Sequence, residues 1–197
     1  MEQEMKSMSS KVLLVSTLSL LPLLTNAGEQ ASSQETLEAR SLVKAFGSDL
    51  KHVLKTAMKS GGPIQALEQC NIQAGPIAKE NSSSSGWDIG RTSLKVRNES
   101  NTPDEWETKT LRQFEQRKAA GESLKTMEYA ETVKAGDKVV YRYMKAIPTA
   151  GLCVTCHGEE ISQNITKKVK SLYPNDQATG FKVGDIRGAF TLQKIIK

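Results

Sequence analysis

The densest chemistry in the chain lies in Gly151-Leu152-Cys153-Val154-Thr155-Cys156-His157-Gly158. Two thiols separated by two residues and followed at once by an imidazole make the spacing CxxCH. On a single helical turn the two sulfurs can add to the two vinyl groups along one edge of a haem, while the adjacent imidazole turns under the ring and ligates the iron. The same thiols could serve as a redox dithiol or as half of a zinc site. Zinc asks for four ligands, and Cys70, Cys153, Cys156, His52 and His157 are the only cysteines and histidines present, so such a site would consume nearly all of them. A thioredoxin-like dithiol belongs early in a βαβ unit, whereas this motif comes late, after an antiparallel-looking region. The motif therefore predicts one covalent c-type haem, with Cys153 and Cys156 as tethers and His157 as an axial ligand.

Haem iron has a second axial position, and the candidates for it are Cys70, His52, Met58, Met127 and Met144. Met58 falls on a helical stripe and Met127 within an alternating strand, where methionine is usually packing. His52 lies between Lys51 and the apolar face of a long helix, the place of a surface or capped core histidine, and it stays open as an alternative ligand. Cys70 could be a small buried hydrophobe. Against that, an unpaired thiol in an oxidising compartment oxidises unless something occupies it, and an inward thiol near ferric iron would ionise and bind. The haem carboxylates would also need cations, and Arg91 and Arg97 are candidates because guanidinium pairs bidentately with carboxylate. The alternative for both is a strand edge kept soluble by charge.

The elements that must position these residues can be taken in order. Lys6 and Lys11 precede an apolar run from Val12 to Leu24 that is short for a bilayer span, and Thr25-Asn26-Ala27 supplies small residues for cleavage. This predicts a signal peptide over 1–27, a single domain over 28–197, and a periplasmic location with no membrane association after cleavage; an uncleaved anchor is the alternative. The formal net charge of +5 is moderate and spread along the chain, and no nucleic-acid motif is present.

From Ser33 to Lys59 apolar residues recur every three or four positions, predicting an amphipathic helix that stops at Gly61-Gly62. Pro63 opens a second helix, with Ile64, Leu67, Cys70 and Ala74 on one face, ending at Gly75-Pro76 ahead of a flexible serine loop, 81–86. Thr92, Leu94 and Val96 alternate like a half-buried strand, and Thr102-Pro103-Asp104-Glu105 reads as a capping box opening a third helix that ends at Gly121. Strands are expected over 124–133 and 138–144, joined at Ala135-Gly136-Asp137, and over 181–183 and 186–195 around Gly184-Asp185. Helices followed by an antiparallel sheet with a helical excursion make the fold class α+β.

Several stretches match a known family: Ala66-Leu67-Glu68-Gln69-Cys70, the run from Arg91 to Asn98, Asn101-Thr102-Pro103-Asp104, Cys153 to Gly158, and Ala178 to Ala189. On these the chain resembles the Tll-like haem-binding domain family, periplasmic or extracellular c-type monohaem domains with a PAS-like fold. The resemblance implies a PAS-like antiparallel sheet with N-terminal helices and a CxxCH helix. It also implies a haem held between His157 and Cys70.

Thiolate opposite histidine lowers the potential of a haem, and a thiolate that leaves on reduction opens a site for carbon monoxide or nitric oxide. That combination suits a redox or diatomic-gas sensor working with a partner protein; a low-potential electron-transfer cytochrome c is the alternative. No acid/base pair or triad is evident, so no enzymatic activity is expected.

Overall fold

The computed structural model describes residues 33–197. The signal peptide expected over 1–27 lies outside the described residues. Helix α1 (Gln34–Ser85) opens on Ser33, whose side chain accepts the Thr36 N–H. The expected break at Gly61-Gly62 is there: Gly62 has φ +69° and ψ −162°, which side chains with a Cβ rarely adopt. It divides α1 into arms of 34–60 and 63–85.

The second arm does not end at Gly75-Pro76, as the sequence suggested. Both residues are exposed, so the missing proline N–H and the bare glycine disturb no buried surface. Just beyond them, Ile77 and Ala78 pack against the sheet and hold the chain helical. The serine run is likewise not a loop but the last turn, with the hydroxyls of Ser82, Ser83 and Ser84 each donating to the carbonyl four residues back at 2.9 Å. Gly86, at φ +73°, is the left-handed stop.

The fold class is α+β, as expected. Four antiparallel strands, β1 (Asp88–Thr92), β2 (Glu128–Ala135), β3 (Lys138–Pro148) and β4 (Ile186–Ile195), lie in the order β1-β4-β3-β2. The C-terminal strand is thus interior, between β1 and β3. The turn at Gly136, with φ +62°, joins β2 to β3 as the sequence indicated. Two strand assignments need correcting. The first strand precedes the alternation at 92–96: pairing with β4 stops at Thr92↔Ala189, and the Ser93 hydroxyl then accepts the Lys95 N–H and turns the chain. Residues 181–183 form no strand, because the Phe181 N–H goes to His157 O and Lys182 closes a turn on Asp185 through both its N–H and its carbonyl.

The sheet is covered on both faces. Along β3, Tyr141 and Tyr143 join Phe46, Trp87, Ile89 and Leu192 beneath α1. Met144 and Ala146 point the other way, to Leu111, Phe114 and Met127 beneath α2 (Glu105–Ala119). The start of α2 also differs from the sequence reading, since the capping box is Asp104 with Glu107 and Pro103 precedes the cap. Thr102 instead bonds the Glu99 carbonyl at 2.6 Å, closing a short 3₁₀ turn. A third cluster lies apart from these: Ile64 and Leu67 of the second arm of α1 meet Ile165, Val169 and Leu172 of α4 (Gln163–Leu172), with Cys156 packed against them.

Candidate functional site

The CxxCH motif forms the one-turn helix α3 (Val154–His157), entered through Cys153. It cannot hold its shape alone, since a helix this short has too few internal hydrogen bonds. The following segment straps it down. Gly180 N–H donates to Gly158 O at 2.8 Å and Phe181 N–H to His157 O at 3.0 Å. On the incoming side Thr149 exchanges backbone bonds with the 184–185 turn: its N–H to Asp185 O at 2.8 Å, and Gly184 N–H to its own carbonyl at 2.9 Å. At the exit, a Cβ on Gly158 would stand 2.5 Å from the Val154 carbonyl oxygen, so only glycine fits the turn without movement.

His157 is oriented by one bond. Its Nδ1 lies 2.7 Å from Ala178 O. A carbonyl only accepts, so Nδ1 carries the proton and Nε2 keeps its lone pair. Burial, reinforced by Arg187 and Arg97 and opposed by that hydrogen bond, pushes the imidazole down to about 2, so it is neutral at ordinary pH. Phe181 stands edge-on to the ring at 6.3 Å between centroids. A neutral imidazole with one nitrogen tied to a backbone carbonyl is the form in which histidine ligates a metal.

Arg97 is the bracket. Its Nε and Nη2 reach Asp176 at 2.9 and 3.1 Å, and Nη2 also donates to Cys156 O at 2.7 Å and Ala178 O at 3.2 Å. Its Nη1 lies 3.5 Å from His157 Nε2, at the limit of a hydrogen bond. Both side chains of the Arg97–Asp176 pair are buried, at 8% and 7% exposure. Asp176 also accepts the Ala178 N–H at 3.0 Å, so one carboxylate fixes both the arginine and the carbonyl that orients His157.

Cys70 follows Leu67 by three residues on the second arm of α1, the arm whose Ile64 and Leu67 carry Cys156. It is half-buried and unpaired, as are Cys153 and Cys156. Burial raises the Cys70 thiol above its usual range, and the positive charges of Arg91 and Arg97 pull it part of the way back. Burial likewise raises Cys156, with Arg97 opposing and the neighbouring Cys70 and Cys153 adding to it. The tertiary structure thus connects the residues singled out from the sequence: Arg91 and Arg97 act on both Cys70 and His157, and Arg97, Cys70 and Cys153 act on Cys156.

The other proposed ligands lie elsewhere. His52 is exposed on the first arm of α1, and Met127 and Met144, both at 0% exposure, are core residues beneath α2. Sequence reasoning passed over Asp176, the Ala178 carbonyl, Phe181 and Arg187 as site members. Arg187 donates to Ser93 Oγ at 3.1 Å and lies over the Phe181 ring at 5.3 Å. Burial together with the like charges of Arg97 and Arg91 lowers it to about 10. The signal that pointed toward Arg187 was its place in the closing stretch from Ala178 to Ala189.

A thiol, thiol, imidazole turn strapped beside a kinked helix, with an antiparallel sheet covered by α1 and α2, defines a small α+β domain. The chain belongs to the Tll0287-like family, whose model matches residues 26–194. Among solved structures it is similar to the cyanobacterial heme-protein Tll0287, with 23% identity over 85% of this chain and 98% of that one and a TM-score of 0.63, a likeness of fold. The comparison with curated proteins gives no match.

Proposed function

We propose that the chain is an exported haem protein carrying one covalent c-type haem, tethered by Cys153 and Cys156 and held axially by His157 and Cys70, and that it works as a redox or diatomic-gas sensing module with a partner protein. The observation that carries this reading is the state of His157: half-buried and neutral, its Nδ1–H donated to Ala178 O and its lone pair on Nε2, where Arg97 Nη1 stands at 3.5 Å, one residue after a thiol. The donor set suits the group. Thiols for attachment, an imidazole, a third thiol on a facing helix, an apolar wall of Ile64, Leu67, Ile165 and Val169, and nearby cations meet at one end of the domain. The family membership and the heme-protein named among similar structures support the same assignment.

A haem held here would supply a one-electron iron couple and, where an axial ligand leaves, a coordination position for a diatomic gas. The chain's own contribution is in its ligands and charges. Cys70, as thiolate, donates strongly and adds negative charge, which favours the ferric state and lowers the potential. Arg91 and Arg97 supply positive charge beside the carboxylates and limit that fall. Asp176 and Ala178 keep His157 in one tautomer. Ile64 and Leu67 exclude water from the Cys70 side.

Mass spectrometry of exported material is expected to show one haem on a chain beginning near Gly28, with optical and spin-resonance spectra of a low-spin thiolate–imidazole site in the ferric form. An unmodified mass would overturn the assignment. Rapid electron exchange with no change of ligand on reduction would favour the low-potential electron carrier over the sensor.

A further inference from the structure

The first arm of α1 sorts its charges by side. At about 100° per residue, Arg40, Lys44, Lys51, Lys55 and Lys59 fall within about 100° of arc, and all of them are exposed. The acids of the arm lie elsewhere. Glu35, Glu38 and Asp49 fall about 160–220° round from Arg40, where Glu38 takes Lys194 at 2.9 Å and Asp49 accepts from Asn81 at 3.3 Å. Ala39, Phe46 and Ala57, buried at 0%, 1% and 3% exposure, point away from the cations, so the apolar side of the arm is already spent within the protein.

Such a face works against its own helix. Arg40 with Lys44, Lys51 with Lys55, and Lys55 with Lys59 are like charges four residues apart, a spacing at which they repel. Arg40 is paired with Glu128, but Lys44, Lys51, Lys55 and Lys59 have no carboxylate partner among the described residues. The positive charge also widens sideways. Lys125 and Lys145 line one cavity with Arg40 and Lys44, and its single lining carboxylate, Glu128, already takes Arg40 at 2.9 Å, the Tyr143 hydroxyl at 2.6 Å and Lys145 at 3.7 Å.

We infer that the outer face of this arm, from Arg40 to Lys59 with Lys125 beside it, is a contact for an anionic lipid surface. The row of cations is about 28 Å long at about 1.5 Å per residue, and non-helical angles first appear beyond it, at Gly61. Lysine supplies all of its charges but one, no aromatic side chain stands among them, and Leu37 is the arm's one exposed large apolar residue. A protein partner is held by aromatic and arginine anchors at an interface from which lysine is depleted. A flat layer of headgroup charge asks only for cations presented along one side, and four to eight basic residues on a helix suffice. The contact is adsorption without insertion, and among the described residues no helix is long and apolar enough to cross a membrane. The expectation of no membrane association after cleavage came from the leader; the charge on this face argues the other way. Nothing in the inference depends on haem.

The test is cosedimentation of the full chain with vesicles of phosphatidylcholine containing about one third phosphatidylglycerol, and with vesicles of phosphatidylcholine alone. The chain is expected to bind the anionic vesicles and not the neutral ones, and to leave them as salt is raised from about 50 to about 500 mM. Lys51→Gln combined with Lys55→Gln should weaken binding roughly 25-fold, at about 5-fold for each lysine. Lys109→Gln combined with Arg112→Gln removes the same charge from exposed positions on α2, across the sheet, and should leave binding unchanged. Glutamine suits an exposed helix about as well as lysine, so matching urea midpoints separate a lost contact from a lost fold. No binding to the anionic vesicles, equal binding to both kinds, or an equal loss in the two double variants overturns the inference. Tighter binding to a DNA duplex than to the anionic vesicles at the same salt overturns it in favour of a nucleic-acid face.

Discussion

Asp176 is the residue through which the candidate site is most open to a single cut. Removing its carboxylate by Asp176→Ala takes away both bonds from Arg97, at 2.9 and 3.1 Å, and the bond from Ala178 N–H at 3.0 Å. Arg97 cannot escape to water, because its side chain is only 8% exposed, and its remaining partners, two carbonyls and the His157 Nε2, carry no charge to balance it. Removing one partner of such a pair costs about 3–5 kcal/mol, most of it the burden of the stranded charge. Domains of this size have about 5–15 kcal/mol in total, so a fifth or more of the stability is at stake. Urea unfolding followed by tryptophan fluorescence is a suitable assay, since Trp87 lies beneath α1 and Trp106 is on α2, and they report on both faces of the sheet. Thermal midpoints should fall by roughly 6–20 °C. Asp176→Asn, which keeps the shape and can still accept the Ala178 N–H, should cost less, about 1.5–3 kcal/mol. Pairing Arg97→Met with Asp176→Leu should recover much of the loss, because no stranded charge remains. A cost under about 1 kcal/mol for Asp176→Ala would refute the view that this pair organises the His157 turn.

Three further outcomes follow from other parts of the molecule. Cys70→Ala should leave the haem attached, since attachment rests on Cys153 and Cys156, but raise the potential by on the order of 100–200 mV and admit carbon monoxide to the ferrous form; unchanged spectra and potential would reduce Cys70 to packing. Glu128 is desolvated, yet bonds from Arg40 at 2.9 Å and the Tyr143 hydroxyl at 2.6 Å prevail and hold its carboxyl below the usual 4.5. Its stabilisation is therefore present above pH 4.5 and lost as pH falls through the lowered value, so Glu128→Gln should be less stable at neutral pH and show a shallower acid decline in urea titrations at stepped pH. Gly188→Ala, with its Cβ 2.3 Å from Thr92 O and 3.0 Å from Ser93 Cβ, should cost about 2 kcal/mol or more in the same unfolding assay, whereas Gly136→Ala, with no atom within 4 Å, should show only the strain of its +62° φ.

Features that arise from neighbours in the chain could be read from the sequence alone. The CxxCH spacing, the break at Gly61-Gly62, the turn at Gly136 and the stop at Gly121 each depend on a few adjacent residues, and each stands where the sequence put it. The α+β class followed from the change of period along the chain. Where local signals competed with packing, packing decided. Gly75-Pro76 looks like a helix end, but the contacts of Ile77 and Ala78 with the sheet carry the helix through it to Ser85. Thr92, Leu94 and Val96 alternate as a strand does, yet a strand needs a partner, and pairing with β4 ends at Thr92. The candidate site divides in the same way. Cys153, Cys156 and His157 are legible because attachment chemistry sets their spacing. That Arg97 belongs to Asp176, 79 residues away, and that Arg187, on an interior strand, comes within reach of both, could be decided only by the fold, since long-range ion pairs leave no periodicity and no motif behind.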